Sequence, residues 1–199
     1  MKKVLLAAAM MISSVAAFAQ HAVGTVTIQP KVGLNIANFT DADDADARVG
    51  FVAGAEFEYQ VSDIFSLSAG ALYSQQGAKM NSETQALDYI NVPVMANVYV
   101  APGFAVKLGV QPGFCVAKKY REKNNITGRL QKGDIETLDR KFDLAIPVGL
   151  SYELPNGVTF DARYNIGLLK AIREYQESGR YKVGYNSVFQ LTIGYKFVL

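Results

Sequence analysis

Eight stretches of this chain alternate apolar and polar residues with a period of two, and each runs past ten residues. A period of two gives a strand two unlike faces. The stretches lie near 25–38, 48–60, 64–76, 87–100, 104–117, 140–154, 158–168 and 184–198. Strands of soluble proteins are usually about 5–6 residues long, whereas a tilted strand that crosses a bilayer needs about 9–11. The connections alternate too. Val61-Ser62-Asp63, Ala101-Pro102-Gly103 and Pro155-Asn156-Gly157 have the composition of tight turns. The connections at 39–47, 77–86, 118–139 and 169–183 are long. Short turns on one rim and long loops on the other predict an all-β fold, an eight-stranded antiparallel up-and-down transmembrane β-barrel. The even strand count predicts both termini on the periplasmic, short-turn side.

Alternation alone does not say which face points outward, because a soluble lipid-binding barrel would turn its apolar face inward. The apolar face carries no charge on any strand: Val32, Leu34 and Ile36 on the first, for example, and Val106, Leu108 and Val110 on the fifth. That fits lipid contact, since one Lys or Arg at the bilayer midplane costs about 2–4 kcal/mol. A sealed core would satisfy the same pattern. The strand glycines decide more. Gly33, Gly50, Gly54, Gly70, Gly109, Gly113, Gly149, Gly167 and Gly194 all share the polar parity. An eight-stranded barrel has an interior only wide enough for its own side chains, so the glycine face is read as the crowded inside. Aromatic residues also gather at strand ends. Phe57, Tyr59, Phe65, Phe104, Tyr152, Phe160, Tyr195 and Phe197 lie on the turn side, with Phe51, Tyr73, Phe114, Phe142 and Tyr185 on the loop side. Two such bands are the girdles of the two lipid–water interfaces.

Parity sends Lys31, Lys107, Arg163 and Lys196 to the interior, together with Glu56, Glu58, Asp143, Glu153 and Asp161. Charges so placed must pair. The expectation is a lumen plugged by salt bridges. Pro30, Pro93, Pro112 and Pro147 sit within strands, where each removes a ladder donor. Bulges, or lumen water on the orphaned carbonyls, are expected there.

The N-terminus has its own logic. Lys2 and Lys3 precede an apolar run from Val4 to Ala17, and Ala17-Phe18-Ala19 stands before Gln20. This is the pattern of a secretory signal cleaved between Ala19 and Gln20. Residues 1–19 are therefore assigned to a signal peptide and 20–199 to the barrel domain. Loss of Lys2 and Lys3 takes the formal charge from +2 to zero, which gives no reason to expect nucleic acid as a partner. The chain has one cysteine, Cys115, so no disulfide forms within it. Cys115 is read as an inert, lumen-facing small residue.

Four segments carry a family likeness. Tyr89-Ile90-Asn91-Val92-Pro93-Val94 resembles the Y-I-x-I-P-L stretch of the PorT-like outer-membrane β-barrel family. Lys31-Val32-Gly33-Leu34-Asn35 is similar to its K-x-G-x-N, and Ala162-Arg163-Tyr164-Asn165-Ile166-Gly167-Leu168 to its A-R-Y-x-x-G-L. Leu191-Thr192-Ile193-Gly194-Tyr195-Lys196-Phe197 resembles its closing L-x-x-G-Y-x-F, here followed by Val198 and Leu199. The resemblance implies an outer-membrane location, export, and insertion by the barrel assembly machinery. Some members act in protein secretion or surface assembly.

Candidate chemistry is sparse. The only histidine is His21, on the periplasmic side. Small outer-membrane enzymes that act on lipid A place a histidine near the loop rim, and without an imidazole there the usual hydroxyl-activating base is missing. No enzyme activity, cofactor or metal is expected. Asp41, Asp43, Asp44 and Asp46 crowd the first loop, but without the glycine and closing glutamate of an EF-hand they read as a solvated acidic loop more readily than as a calcium site. Lys118, Lys119, Arg121 and Lys123 open the third loop. They could pair with phosphates of outer-leaflet lipopolysaccharide, or be solvated. The leading expectation is a monomeric, non-enzymatic barrel whose loops bind lipopolysaccharide or a protein partner. A secretion component, a narrow solute channel and a soluble lipid carrier are the alternatives.

Overall fold

The computed structural model describes residues 21–40, 45–80, 83–123, 130–134, 141–175 and 181–199. Residues 1–20, with the expected cleavage site Ala19/Gln20, and Asp41, Asp43 and Asp44 lie outside these. The elements are β1 (Val26–Thr40), β2 (Ala45–Ser62), β3 (Phe65–Met80), β4 (Glu83–Asn91), β5 (Val94–Ala101), β6 (Phe104–Lys123), β7 (Leu130–Asp134), β8 (Phe142–Glu153), β9 (Val158–Tyr175), β10 (Tyr181–Tyr195) and β11 (Phe197–Val198).

These eleven elements make eight barrel strands. β4 and β5 both lie between β3 and β6, on one line interrupted at Val92–Pro93. β7 and β8 both pair with the far side of β6. β11 continues β10 along β1. All pairings are antiparallel, and β1 pairs with β10 from Lys31 opposite Gly194 to Thr40 opposite Tyr185, so the sheet closes on itself. Closure removes every open edge, as a strand-built membrane span requires.

The side-chain directions follow parity. Leu34, Leu67, Val94, Leu108, Val116, Leu150, Leu191 and Phe197 are all exposed on the outside, and Leu108 is 56% exposed. This apolar belt passes around all eight strands. Water-soluble monomers rarely expose continuous apolar patches beyond a few hundred Å², so a belt of this extent needs lipid. Ring pairs sit in the expected girdles: Phe51 with Tyr73 and Phe114 with Phe142 on the loop side, and Tyr195 with Phe197 on the turn side. The inward glycines allow close strand approach. A Cβ on Gly33 would stand 1.9 Å from the Leu191 carbonyl oxygen, and one on Gly54 2.1 Å from that of Ala71.

Two expectations are corrected. The connections read as long loops at 39–47, 77–86, 118–139 and 169–183 are largely strand. β2 begins at Ala45, β3 runs to Met80, β6 to Lys123 and β9 to Tyr175. Above the membrane a hairpin still pairs its backbone, but neither face meets lipid, so the apolar half of the alternation disappears. The prolines also make no bulges. The described register shifts fall at Ala47/Val52, Gln60/Ser62, Asp88/Tyr89, Tyr99/Ala101, Gly184/Tyr185 and Tyr185/Ser187. Pro30, Pro112 and Pro147 stay in strand without a shift. At Pro93 the strand breaks instead, and the register is the same on either side. The Val92 amide donates to the Pro112 carbonyl at 2.8 Å and the Gly70 amide to the Pro93 carbonyl at 3.1 Å, which holds the break in place.

Candidate functional site

The barrel interior is layered. In its middle, β1, β2, β6 and β9 each send charged side chains inward, and five of them interlock. The Arg163 guanidinium grips Glu56 through Nη1–Oε1 at 2.6 Å and Nη2–Oε2 at 2.9 Å. It also grips Asp161 through Nε–Oδ1 at 2.5 Å and Nη2–Oδ2 at 3.0 Å. Two carboxylates on one planar cation is the geometry for which the guanidinium fork is suited. Lys31 Nζ lies 2.8 Å from Glu56 and 3.8 Å from Asp161. Lys107 Nζ lies 3.0 Å from Asp161 and 3.9 Å from Glu56. All five are buried, and Arg163 is fully so.

A second cluster closes the turn side. Lys196 Nζ sits 3.0 Å from Glu58 and 2.9 Å from Glu153. Glu58 accepts hydrogen bonds from the Tyr99 and Ser66 hydroxyls, and Lys196 donates to the Tyr99 oxygen at 3.1 Å. His21 Nε2 lies 3.1 Å from Glu153 Oε1. The sequence reading placed His21 at the periplasmic side without assigning it a contact. It caps this cluster from the segment that precedes β1, and a lone histidine outside any alternating stretch gave no signal of it.

The ninth predicted lumen residue, Asp143, joins neither cluster. It lies nearer the loop side, where its described partners are the Leu144 amide at 2.8 Å and the Asn186 side-chain amide at 3.4 Å. Around it stand Gln76, Asn91, Gln111, Asn165 and Asn186, inward residues whose uncharged amides look like ordinary polar alternation in the sequence. The motif residues behind the family likeness share this interior: Lys31, Asn35, Tyr89, Asn91, Arg163, Asn165 and Lys196 are all buried. Among the described residues no group of three His, Cys, Asp or Glu side chains is placed to hold a metal ion.

At the loop rim the basic residues belong to β6 itself. Tyr89 stands opposite Cys115 but Asp88 opposite Ala117, so Val116 is an extra residue on β6. Such a bulge reverses the alternation beyond it. Lys118 then shares the face of buried Leu87, and Lys119 and Arg121 take outer-face positions opposite Ala86 and Thr84. Lys123 follows in the same phase. β7 adds Lys132 opposite Arg121 and Asp134 opposite Lys119. Of the acidic first-loop residues only Asp46 is among those described, in β2 opposite Lys79.

Closed shape, apolar belt, aromatic girdles and charged lumen together describe a small membrane barrel, and the match to a sequence family decides the matter. A model described as the outer membrane protein beta-barrel domain matches residues 5–197. The chain belongs to this family. Outer-membrane β-barrel domains thus include this chain over nearly its whole length. The match is to the domain at large and not to a PorT-like branch of it. Among solved structures, Ail, the attachment invasion locus protein of Yersinia pestis, is 16% identical with a TM-score of 0.52, covering 88% of this chain and 99% of that one. Neisserial surface protein A is 15% identical with a TM-score of 0.50, covering 87% and 97%. At these identities the likeness is one of fold. Curated protein sequences give no match.

Proposed function

We propose that this outer-membrane barrel is a non-enzymatic surface protein whose β6–β7 hairpin binds phosphate groups of lipopolysaccharide, while its salt-bridged lumen blocks solute flow. The observation that carries the reading is the bulge at Val116. Without it, Lys119, Arg121 and Lys123 would keep the lumen parity of Lys107. With it, they occupy outer-face positions directly above lipid-exposed Phe114 and Val116. Across the hairpin Lys132 pairs in register with Arg121, and Asp134 with Lys119. Cations just beyond the apolar belt on the loop side suit charge-assisted hydrogen bonds to outer-leaflet phosphates. Processing between Ala19 and Gln20 and periplasmic termini complete the reading.

The test is binding of the folded protein to lipopolysaccharide-containing vesicles, for the wild type and a K119E/R121E/K123E variant. The variant is expected to lose at least tenfold in affinity, with the wild-type binding weakened by salt. Equal binding by both would refute the assignment. The PorT-like motifs support a second reading, membership of a secretion or surface-assembly apparatus. Stable membrane or periplasmic partners recovered with the intact barrel would favour it.

A further inference from the structure

We propose that the loop-side end of the lumen is a binding site for one dehydrated monovalent cation of potassium size, held between the Asp143 carboxylate and the side-chain carbonyls of Gln111, Asn165 and Asn186. A cavity of about 10 Å³ lies among Gln76, Asn91, Gln111, Gly113, Asp143 and their neighbours. That volume is at the lower limit for a single water, and potassium is close to water in size.

The polar atoms around the cavity are unusual. Gln111 Oε1, Asn165 Oδ1 and Asn186 Oδ1 are buried without a hydrogen-bond partner, as are Asn91 Nδ2 and Asn165 Nδ2. Each of these four residues is at most 4% exposed. Native interiors leave few such atoms unpaired, and a cluster of them marks a missing occupant. Three orphaned carbonyl oxygens and the Asp143 carboxylate, which has lone pairs beyond its bonds to Leu144 and Asn186, gather at this one cavity. One water has two hydrogens and would still leave acceptors unmatched, whereas a cation can engage all of them at once. The roles of Asn186 follow from its own bonds, because its Nδ2 donates to Gln76 Oε1 and toward Asp143, which leaves Oδ1 for the cavity.

Charge supports the same conclusion. In the middle cluster three cations meet two carboxylates, and in the turn-side cluster Lys196 meets Glu58 and Glu153. These two clusters offset each other, and on the loop side Asp143 has no ion pair among the described residues, whereas the buried Asp88 accepts from the Tyr73 hydroxyl. An unpaired ion in such an environment is costly, and one monovalent cation balances it. Asp143 is a single carboxylate among neutral carbonyls, which suits a singly charged ion better than a divalent one. The Arg163 cluster seals the passage beneath, so the ion enters and leaves on the loop side and the site does not conduct.

The experiment uses the refolded full barrel in detergent. Thermal unfolding is measured in potassium chloride and in choline chloride at equal ionic strength, for the wild type and Asp143→Asn. The wild type is expected to gain a few degrees in Tm, saturating with potassium, as for any ligand that binds only the folded state. D143N, checked for heat-modifiable gel mobility, is expected to show no potassium dependence. Crystals of the wild type grown in rubidium chloride are expected to show an anomalous peak beside Asp143. The same Tm in both salts, or a rubidium-free cavity filled by water, overturns the proposal.

Discussion

Arg163 connects more of the lumen than its neighbours do, because a single guanidinium fork satisfies two carboxylates on facing strands. Removing one member of a buried ion pair leaves the others as uncompensated charges, and the cost is about 3–5 kcal/mol. Arg163→Met is therefore expected to lower the barrel's stability by that amount. The shift in urea midpoint for folding into lipid vesicles measures it. Lys107→Met should cost less, since Asp161 keeps Arg163 and Lys31 as partners. Equal losses for the two variants would show that the cluster is not centred on Arg163. At this scale parity in the sequence sent nine charged residues inward, and eight of them form the two clusters. It could not group them, because pairing depends on the strand stagger that brings Glu56 level with Asp161. Nor did it flag the uncharged amides around Asp143, which look like ordinary polar alternation.

The strands teach a different lesson. Their membrane portions were legible because lipid imposes an apolar residue at every second position. Above the membrane that constraint lapses, and Lys118 to Lys123 reads as loop although it continues β6. The Val116 bulge was equally silent, since Cys115-Val116-Ala117 offers small or apolar residues on either phase. The prolines misled in the opposite direction: each announced an irregularity, yet only Pro93 interrupts a strand, and there the register is conserved. Deleting Val116 should restore plain alternation along β6 and leave Lys119, Arg121 and Lys123 in the outer phase, because the residues beyond the bulge keep their β4 partners. Such a variant is expected to keep its heat-modifiable mobility, because residues 104–114 retain their pairing with β8, and to keep lipopolysaccharide binding. Loss of binding in a folded deletion variant would separate the outer-face position of the basic residues from that role.

As a whole the molecule is a sealed cylinder. Two salt-bridge clusters and the buried side chains of Leu72, Leu87, Tyr89 and Met95 occupy the lumen, and eight strands enclose little more than side chains. Planar bilayers containing the purified barrel are expected to show no stable single-channel conductance, and reproducible open steps would contradict the plug. The fold class, strand count, turn positions and outward face were all legible in the sequence, because they follow from period and from where glycine can pack. The central claim is that the uncharged face meets acyl chains. The chain contains no tryptophan, so Leu108→Trp supplies a single reporter on that face. In vesicles of lipids brominated along their acyl chains its fluorescence is predicted to be strongly quenched and blue-shifted. Emission at the wavelength of a water-exposed indole, untouched by the bromines, would contradict the account.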